Sequence, residues 1–175
     1  METVAAPSQP ELYFIVHNVR SAHNVGAIFR TADGIGVAKI FLTGYTCTPH
    51  DGRTPWTTKP ERMIGKVALG ADQAVAWEKD EDVAAVIARL RAQDTRIVAL
   101  EQTDASVPVA KFTSDGRSVA LILGNEPKGI DDATLALCDD AVDIPMRGVK
   151  ESLNVSVAAG VAGYALYDTL KGDVH

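Results

Sequence analysis

Along this chain, short blocks of apolar residues alternate with polar breaks and with segments in which apolar residues recur at helical spacing. Leu12–His17 is β-branched and aromatic and reads as a buried first strand. Ser21 then offers an N-cap, and Val25, Ile28, Phe29, Ala32 and Ile35 share one face of a helix that Gly34 and Gly36 stop. Lys39–Thr43 is a second strand. Gly44 to Pro60 is dense in Pro, Thr and Gly and longer than a turn needs, which marks a functional or mobile loop. A helix runs from Pro60 to near Gly70, with proline in its first turn, and a short strand follows at Val75–Trp77. Asp80–Gln93 has an acidic first turn, a basic last turn and a regular apolar face, the clearest helix of the chain. Arg96–Leu100 and Ser118–Leu123 are strands joined by a polar loop. Asp131–Leu137 is a helix, Ala141–Ile144 the last strand and Asn154–Leu170 a final helix rich in small residues. Strands alternating with helices predict an α/β fold: a mostly parallel sheet with helices on both faces.

Composition narrows the class. A chain of 175 residues with 46% hydrophobic and 23% charged content is globular, and its length predicts a single domain, 12–175, behind a disordered lead-in over 1–11. No run of roughly 18 apolar residues exists, so no membrane segment is expected, and the N-terminus has no signal-peptide pattern. Cys47 and Cys138 form neither a disulfide framework nor a metal spacing, which fits reduced thiols in a cytoplasmic protein. A net charge of −6 excludes gripping nucleic acid by bulk electrostatics. Charge is uneven, however: Arg53, Lys59, Arg62 and Lys66, with Trp56 among them, face only Asp51 and Glu61 in the segment from His50 to Lys66. Together with Arg20 these are the candidate RNA contacts, although a solvated loop would read the same way.

The polar residues worth explaining gather in the last third. LILGNEPKGI (Leu121–Ile130) and the stretch from Asp143 to Leu166 each leave an apolar strand through a Gly- and Pro-containing loop into a helix. Ligand sites of open α/β sheets form at such exits, so the two loops are read as walls of one pocket. Gly124–Gly129 has neither Walker spacing nor a three-glycine dinucleotide fingerprint, and its glycines also suit a plain tight turn. Ser152 or Asn154 could equally cap the last helix. Earlier in the chain, Asn24 and Arg30 are polar intrusions on an apolar helix, and such an arginine is usually a surface residue. His17 and His23 read as structural or surface residues, and nothing suggests a metal site or an acyl-hydrolase triad.

In combination these segments are specific. Asn24-Val25-Gly26-Ala27-Ile28-Phe29-Arg30-Thr31-Ala32, Gly124-Asn125-Glu126-Pro127-Lys128-Gly129, and Ile144-Pro145-Met146 with Ser152-Leu153-Asn154-Val155-Ser156 and Ala158 resemble the three motifs of the SPOUT methyltransferases. The match is to the SpoU/TrmH branch of RNA 2′-O-ribose methyltransferases, from about Leu12 to Leu170. The resemblance implies an α/β knot, a deep C-terminal trefoil. It implies S-adenosyl-L-methionine held by Leu100 and Glu101, by Gly124, Asn125 and Gly129, and by Ile144, Met146, Ser152 and Leu153. It also implies a homodimer with the site at the interface, tRNA or rRNA as substrate with tRNA favoured, and no catalytic metal. Arg30, Asn24, Glu126, Ser152 and Asn154 would be the catalytic set, Arg30 acting at the 2′-OH and Asn24 orienting it or the ribose. The extensions with which larger members hold RNA are not expected. A SPOUT enzyme methylating a base, or a non-catalytic binding module on the same fold, are the alternatives; the Asn/Arg first motif favours the ribose.

Overall fold

The period-two alternation of the apolar runs is what builds this molecule. In a computed structural model that describes residues 9–172, the strands are β1 (Leu12–His17), β2 (Lys39–Thr43), β3 (Trp77–Asp80), β4 (Arg96–Leu100), β5 (Val107–Pro108), β6 (Val119–Leu123) and β7 (Asp140–Asp143). They form one sheet in the order β3-β2-β1-β6-β4-β7-β5, parallel throughout. Leu12, Phe14 and Val16 of β1, Ile40 and Leu42 of β2, and Leu121 and Leu123 of β6 point into one core. Their neighbours Ile15, Phe41, Ala120 and Ile122 point into a second core on the opposite face. Strands apolar on both sides can be satisfied only if both faces are covered.

The helices do the covering. On the first face lie α1 (Ala22–Ile35), α2 (Lys59–Ala68), α3 (Ala71–Ala74) and α6 (Val155–Lys171), contributing Ile28, Phe29, Ile64, Ala71 and Leu166. On the second, α4 (Val83–Ala92) inserts Val86, Ile87 and Leu90, with Leu135 of the short α5 (Asp132–Leu135) beside it.

Several boundaries differ from the sequence reading, each for a local reason. Gly34 lies inside α1; only Gly36, at φ 89°, ends it. Helix α2 begins one residue before Pro60 because Thr58 and Glu61 form a reciprocal capping box. The expected strand at Val75–Trp77 is displaced to Trp77–Asp80, since the Val75 N–H still closes the turn of α3 on Ala71. Polar Glu78, Lys79 and Asp80 are tolerated there because β3 is an edge strand. Asp80 therefore belongs to a strand, and Asp82 caps α4 by accepting from Ala84 and Ala85 N–H. Helix α5 is shorter than expected, with Asp131 as its cap, and β7 begins one residue earlier. The loop after β4 carries β5 and a turn of 3-10 helix, Val109–Lys111. Of the expected lead-in, residues 1–8 lie outside the described residues, and Glu11 is tied to the β6 side, where its carbonyl accepts from Val119 N–H at 2.9 Å.

Because every pairing is parallel, the carboxyl ends of β1, β2, β4, β6 and β7 fall along one edge of the sheet. All the loops singled out in the sequence leave from that edge.

Candidate active site

The exits of three adjacent strands, β6, β4 and β7, enclose a cavity of about 340 Å³. Its lining includes Leu100, Glu101 and Gln102 after β4, Leu123 through Gly129 after β6, and Asp143, Ile144, Met146, Glu151, Ser152 and Leu153 after β7, closed by Val155 and Ala158 of α6. All the residues expected to hold a cofactor are thus brought together, and so are Glu126 and Ser152 of the catalytic set.

The Gly124–Gly129 wall is built to a tight tolerance. A Cβ on Gly124 would lie 2.6 Å from Ile130 Cγ1 and 2.8 Å from the Gly129 carbonyl carbon, so no larger residue fits. Gly129 takes φ 67°, and a Cβ there would meet the Glu101 carboxylate. That carboxylate is structural: Oε2 accepts from Ile130 N–H at 2.9 Å and Oε1 from Gln102 N–H at 3.0 Å. Asn125, also buried, is structural too. Its Oδ1 accepts from Lys128 N–H at 3.1 Å, and its Nδ2 donates to Asn18 O at 2.9 Å and to Tyr45 Oη at 2.5 Å. The side chains of Glu101 and Asn125 therefore shape the pocket, and what they leave for a ligand is main chain.

Two amides join the pocket residue Glu126 to the start of α6. Asn24, 8% exposed on α1, donates from Nδ2 to Glu126 Oε1 at 2.5 Å, and its Oδ1 accepts from Asn154 Nδ2 at 3.2 Å. Asn154 in turn caps α6, its Oδ1 accepting from Ser156 N–H at 2.9 Å and Ser156 Oγ at 2.6 Å. Asn154 is thus the cap that the sequence allowed, and its second amide end reaches across to Asn24. Ser152 is exposed on the pocket rim.

Arg30 is placed elsewhere. It is exposed on α1 and lines a second, open hollow with Thr31, Gly34, Ser156, Val157, Gly160, Val161 and Tyr164, on the outer side of α6. Its guanidinium makes no hydrogen bond or salt bridge within the described residues. Within one chain both ends of the Asn24 amide are engaged by Glu126 and Asn154, so the expected pairing of Asn24 with Arg30 or the ribose, if made, is made across two copies.

The expected RNA contacts are all exposed. Arg53 Nε lies 3.1 Å from Asp51 Oδ2, Arg62 donates to Thr57 O at 2.6 Å, and Arg20 sits over the Tyr45 ring, 5.7 Å from its centroid. Lys59 and Lys66 make no ion pair among the described residues.

Chain residues 11–164 match the family described as SpoU rRNA Methylase. The protein belongs to the SpoU methylase family. Among similar proteins, a tRNA (guanosine(18)-2′-O)-methyltransferase of Escherichia coli (strain K12) is 31% identical over 91% of this chain and 64% of its own length. A 23S rRNA (guanosine-2′-O-)-methyltransferase of Acinetobacter baylyi is 34% identical over 87% of this chain and 58% of its own. This SpoU-family chain therefore spans about three fifths of the length of the curated relatives it matches. In three dimensions it resembles the AdoMet-bound rRNA methyltransferase of Sinorhizobium meliloti, with a TM-score of 0.79 and 24% identity over 97% of this chain and 59% of that one.

Asp143 and Tyr45 of this SpoU site escaped the sequence, whereas His17 is structural as read. Asp143 lies at the end of the last strand, its Oδ2 accepting from Ser106 Oγ at 3.0 Å while its buried Oδ1 has no hydrogen-bond partner among the described residues. Tyr45 joins the pocket wall through Asn125. His17 is buried, held between Thr43 Oγ1 at 2.9 Å and Asn18 Nδ2 at 3.0 Å, with Asp131 at 3.6 Å. Burial lowers its pKa below the usual 6.5, against the opposing pull of Asp131. The thiols are unpaired, and burial pushes Cys138 up to about 11.

Proposed function

We propose that this chain is an S-adenosyl-L-methionine-dependent RNA methyltransferase that methylates a ribose 2′-OH of tRNA or rRNA, tRNA being favoured, and that it works as a homodimer. The observation that carries the reading is the pocket between three parallel-strand exits, with Glu126 of its lining linked through Asn24 to Asn154, so that three separate motifs meet beside it. Its volume falls in the roughly 300–1,000 Å³ range of small-molecule sites. Leu100, Leu123, Ile144 and Leu153 offer apolar surface, the loops offer main-chain groups, and the unpartnered Asp143 Oδ1 offers an acceptor to a hydroxyl or amino donor. These residues fit a nucleoside cofactor, which Gly124–Gly129, Asp143 and Ile144–Leu153 would hold.

When bound, that cofactor supplies an electrophilic methyl on a sulfonium. The chain's own task is to hold a ribose hydroxyl in line and to ease the loss of its proton. Asn24, pinned at both ends, fixes Glu126, whose other carboxylate oxygen accepts the hydrogen bond of the ribose hydroxyl. A guanidinium is a donor with no lone pair to offer, so Arg30 acts by clamping a phosphate and stabilising negative charge developing on the 2′ oxygen, not by taking the proton. For Arg30 to do this, it serves the pocket of a second copy packed on the outer face of α6. Val157, Val161 and Tyr164 on that face are 51%, 45% and 50% exposed at helical spacing, an apolar stripe suited to such packing. The reading includes the C-terminal trefoil knot, with which the neighbouring of β6, β4 and β7 is in keeping. It also includes RNA contacts by Arg20 and Arg53 on loops and by Lys59, Arg62 and Lys66 along α2. A cytoplasmic place goes with such substrates; no helix among the described residues is long and apolar enough to cross a membrane.

The test is to supply the chain with methyl-labelled cofactor and with unfractionated tRNA or rRNA from cells lacking it, and to map alkali-resistant linkages. Label at a defined resistant linkage is expected. Label on a base, or none in either RNA, sinks the proposal.

A further inference from the structure

Tyr45 stands outside the residues assigned so far, and an inference about it rests on the RNA-methylating reading above. It follows β2 at the edge of the sheet from which the pocket loops leave, and its side chain is among the exposed large apolar groups, at 56%. Burial therefore does not fix this ring; hydrogen bonds do. Its N–H donates to Asn18 Oδ1 at 3.1 Å, and its Oη accepts from Asn125 Nδ2 at 2.5 Å. The same Asn125 amide donates to Asn18 O at 2.9 Å, so one side chain ties the exits of β1, β2 and β6. Asn125 is the chain neighbour of Glu126, which holds Asn24. The ring is thus an exposed aromatic surface kept in register with the catalytic amides. Beside it the Arg20 guanidinium lies 5.7 Å from the ring centroid, on a side chain that is itself exposed.

An enzyme that acts on a ribose within RNA favours strands whose bases are unstacked, and unstacked bases are taken up on aromatic side chains and guanidinium planes. We infer that Tyr45 is the platform on which an unstacked nucleobase of the RNA lies, next to the ribose presented to the pocket. The base takes the place of the Arg20 guanidinium on the ring, and Arg20 turns to the backbone phosphate. Stacking on one ring is tolerant of base identity, so the platform selects for an unpaired nucleotide and not for a sequence.

The test compares binding of unfractionated tRNA and of rRNA by the full chain and by Tyr45→Leu, Tyr45→Phe and Arg20→Gln across a range of salt. S-adenosylhomocysteine binding is measured in parallel to report on the pocket. Tyr45→Leu is expected to weaken binding of the RNA that the unaltered chain binds by roughly 5- to 150-fold, the equivalent of one lost stack. Its slope of log affinity against log salt stays unchanged, and Tyr45→Phe, which keeps the ring but loses the tie to Asn125, loses less affinity than Tyr45→Leu. Arg20→Gln lowers that slope by about one. All three keep S-adenosylhomocysteine. If Tyr45→Leu binds RNA as the unaltered chain does, the platform is wrong and the methyltransferase reading stands. Joint loss of S-adenosylhomocysteine, or an equal loss in Tyr45→Phe, makes Tyr45 a tether of the scaffold and overturns the platform as well. Failure of the unaltered chain to bind either RNA overturns the functional reading itself.

Discussion

The first turn of α6 separates two hollows that differ in how far their side chains are already engaged. On the inner side, Asn24, Glu101, Asn125 and Asn154 are held by hydrogen bonds within the chain, and glycines at 124 and 129 leave no slack. On the outer side, Arg30 has no partner within the described residues and shares its surface with exposed Val157, Val161 and Tyr164. The inner pocket is preorganised by one chain alone, as a binding site requires. The outer one presents a charge and an apolar stripe that nothing in the same chain completes. On the proposed reading the contrast separates binding of the methyl donor from transfer of the methyl, with Ser156 of the outer hollow bonded to Asn154, which is tied to Asn24 on the inner side.

Breaking one hollow at a time should expose that division. Arg30→Ala is expected to leave S-adenosylmethionine affinity unchanged in titration calorimetry while cutting methyl transfer by roughly 10²-fold or more, the loss typical of a transition-state contact. Mixing it with a Gly124→Ala chain should restore transfer in the hybrid pairs if Arg30 acts on the other copy's pocket; no restoration would place its action within one chain. Gly124→Ala by itself should abolish cofactor binding, because the loop must move away from Ile130, at about 1–3 kcal/mol of overpacking read as a lower melting temperature.

A finer probe is Asp143→Asn, which keeps an oxygen for Ser106 but removes the charge. It should weaken cofactor binding roughly 10- to 150-fold, in line with a charge-assisted hydrogen bond of about 1.5–3 kcal/mol, with little change in turnover at saturation. An unchanged dissociation constant would show that Oδ1 meets no donor of the ligand.

The smallest effect concerns His17 beneath the same loops. Its folded pKa is lowered, so between that value and the unfolded 6.5 the unfolded chain binds more protons. Stability should therefore fall as pH drops below about 6.5 and keep falling until the folded pKa is reached. His17→Gln should flatten that part of a melting-temperature profile; an identical slope would assign the loss to other groups.

Much of this was legible in the chain as written. The apolar runs at Leu12–His17, Lys39–Thr43 and Ser118–Leu123 declared strands buried on both faces, because a residue that alternates between two cores needs no polar partner on either side. The cap at Ser21 and the glycines of the Gly124–Gly129 loop were equally readable, since each is a demand of local backbone geometry. Edge segments were not. Trp77–Asp80 is polar and pairs on one side only, so its strand is decided by β2, and the two residues of β5 exist only because β7 lies beside them. In the site, sequence named the candidate residues but not which way they face. Asn24 and Arg30 sit six residues apart on one helix, and only the packing of α1 against the β6 loop and α6 turns the first toward Glu126 and Asn154 and the second into the outer hollow. Local spacing fixes elements and caps, whose energies are set within a few residues. The partners of a side chain that leaves its helix are set by contacts more than a hundred positions distant, such as Asn24 with Glu126 and Asn154, and those exist only once the sheet has formed.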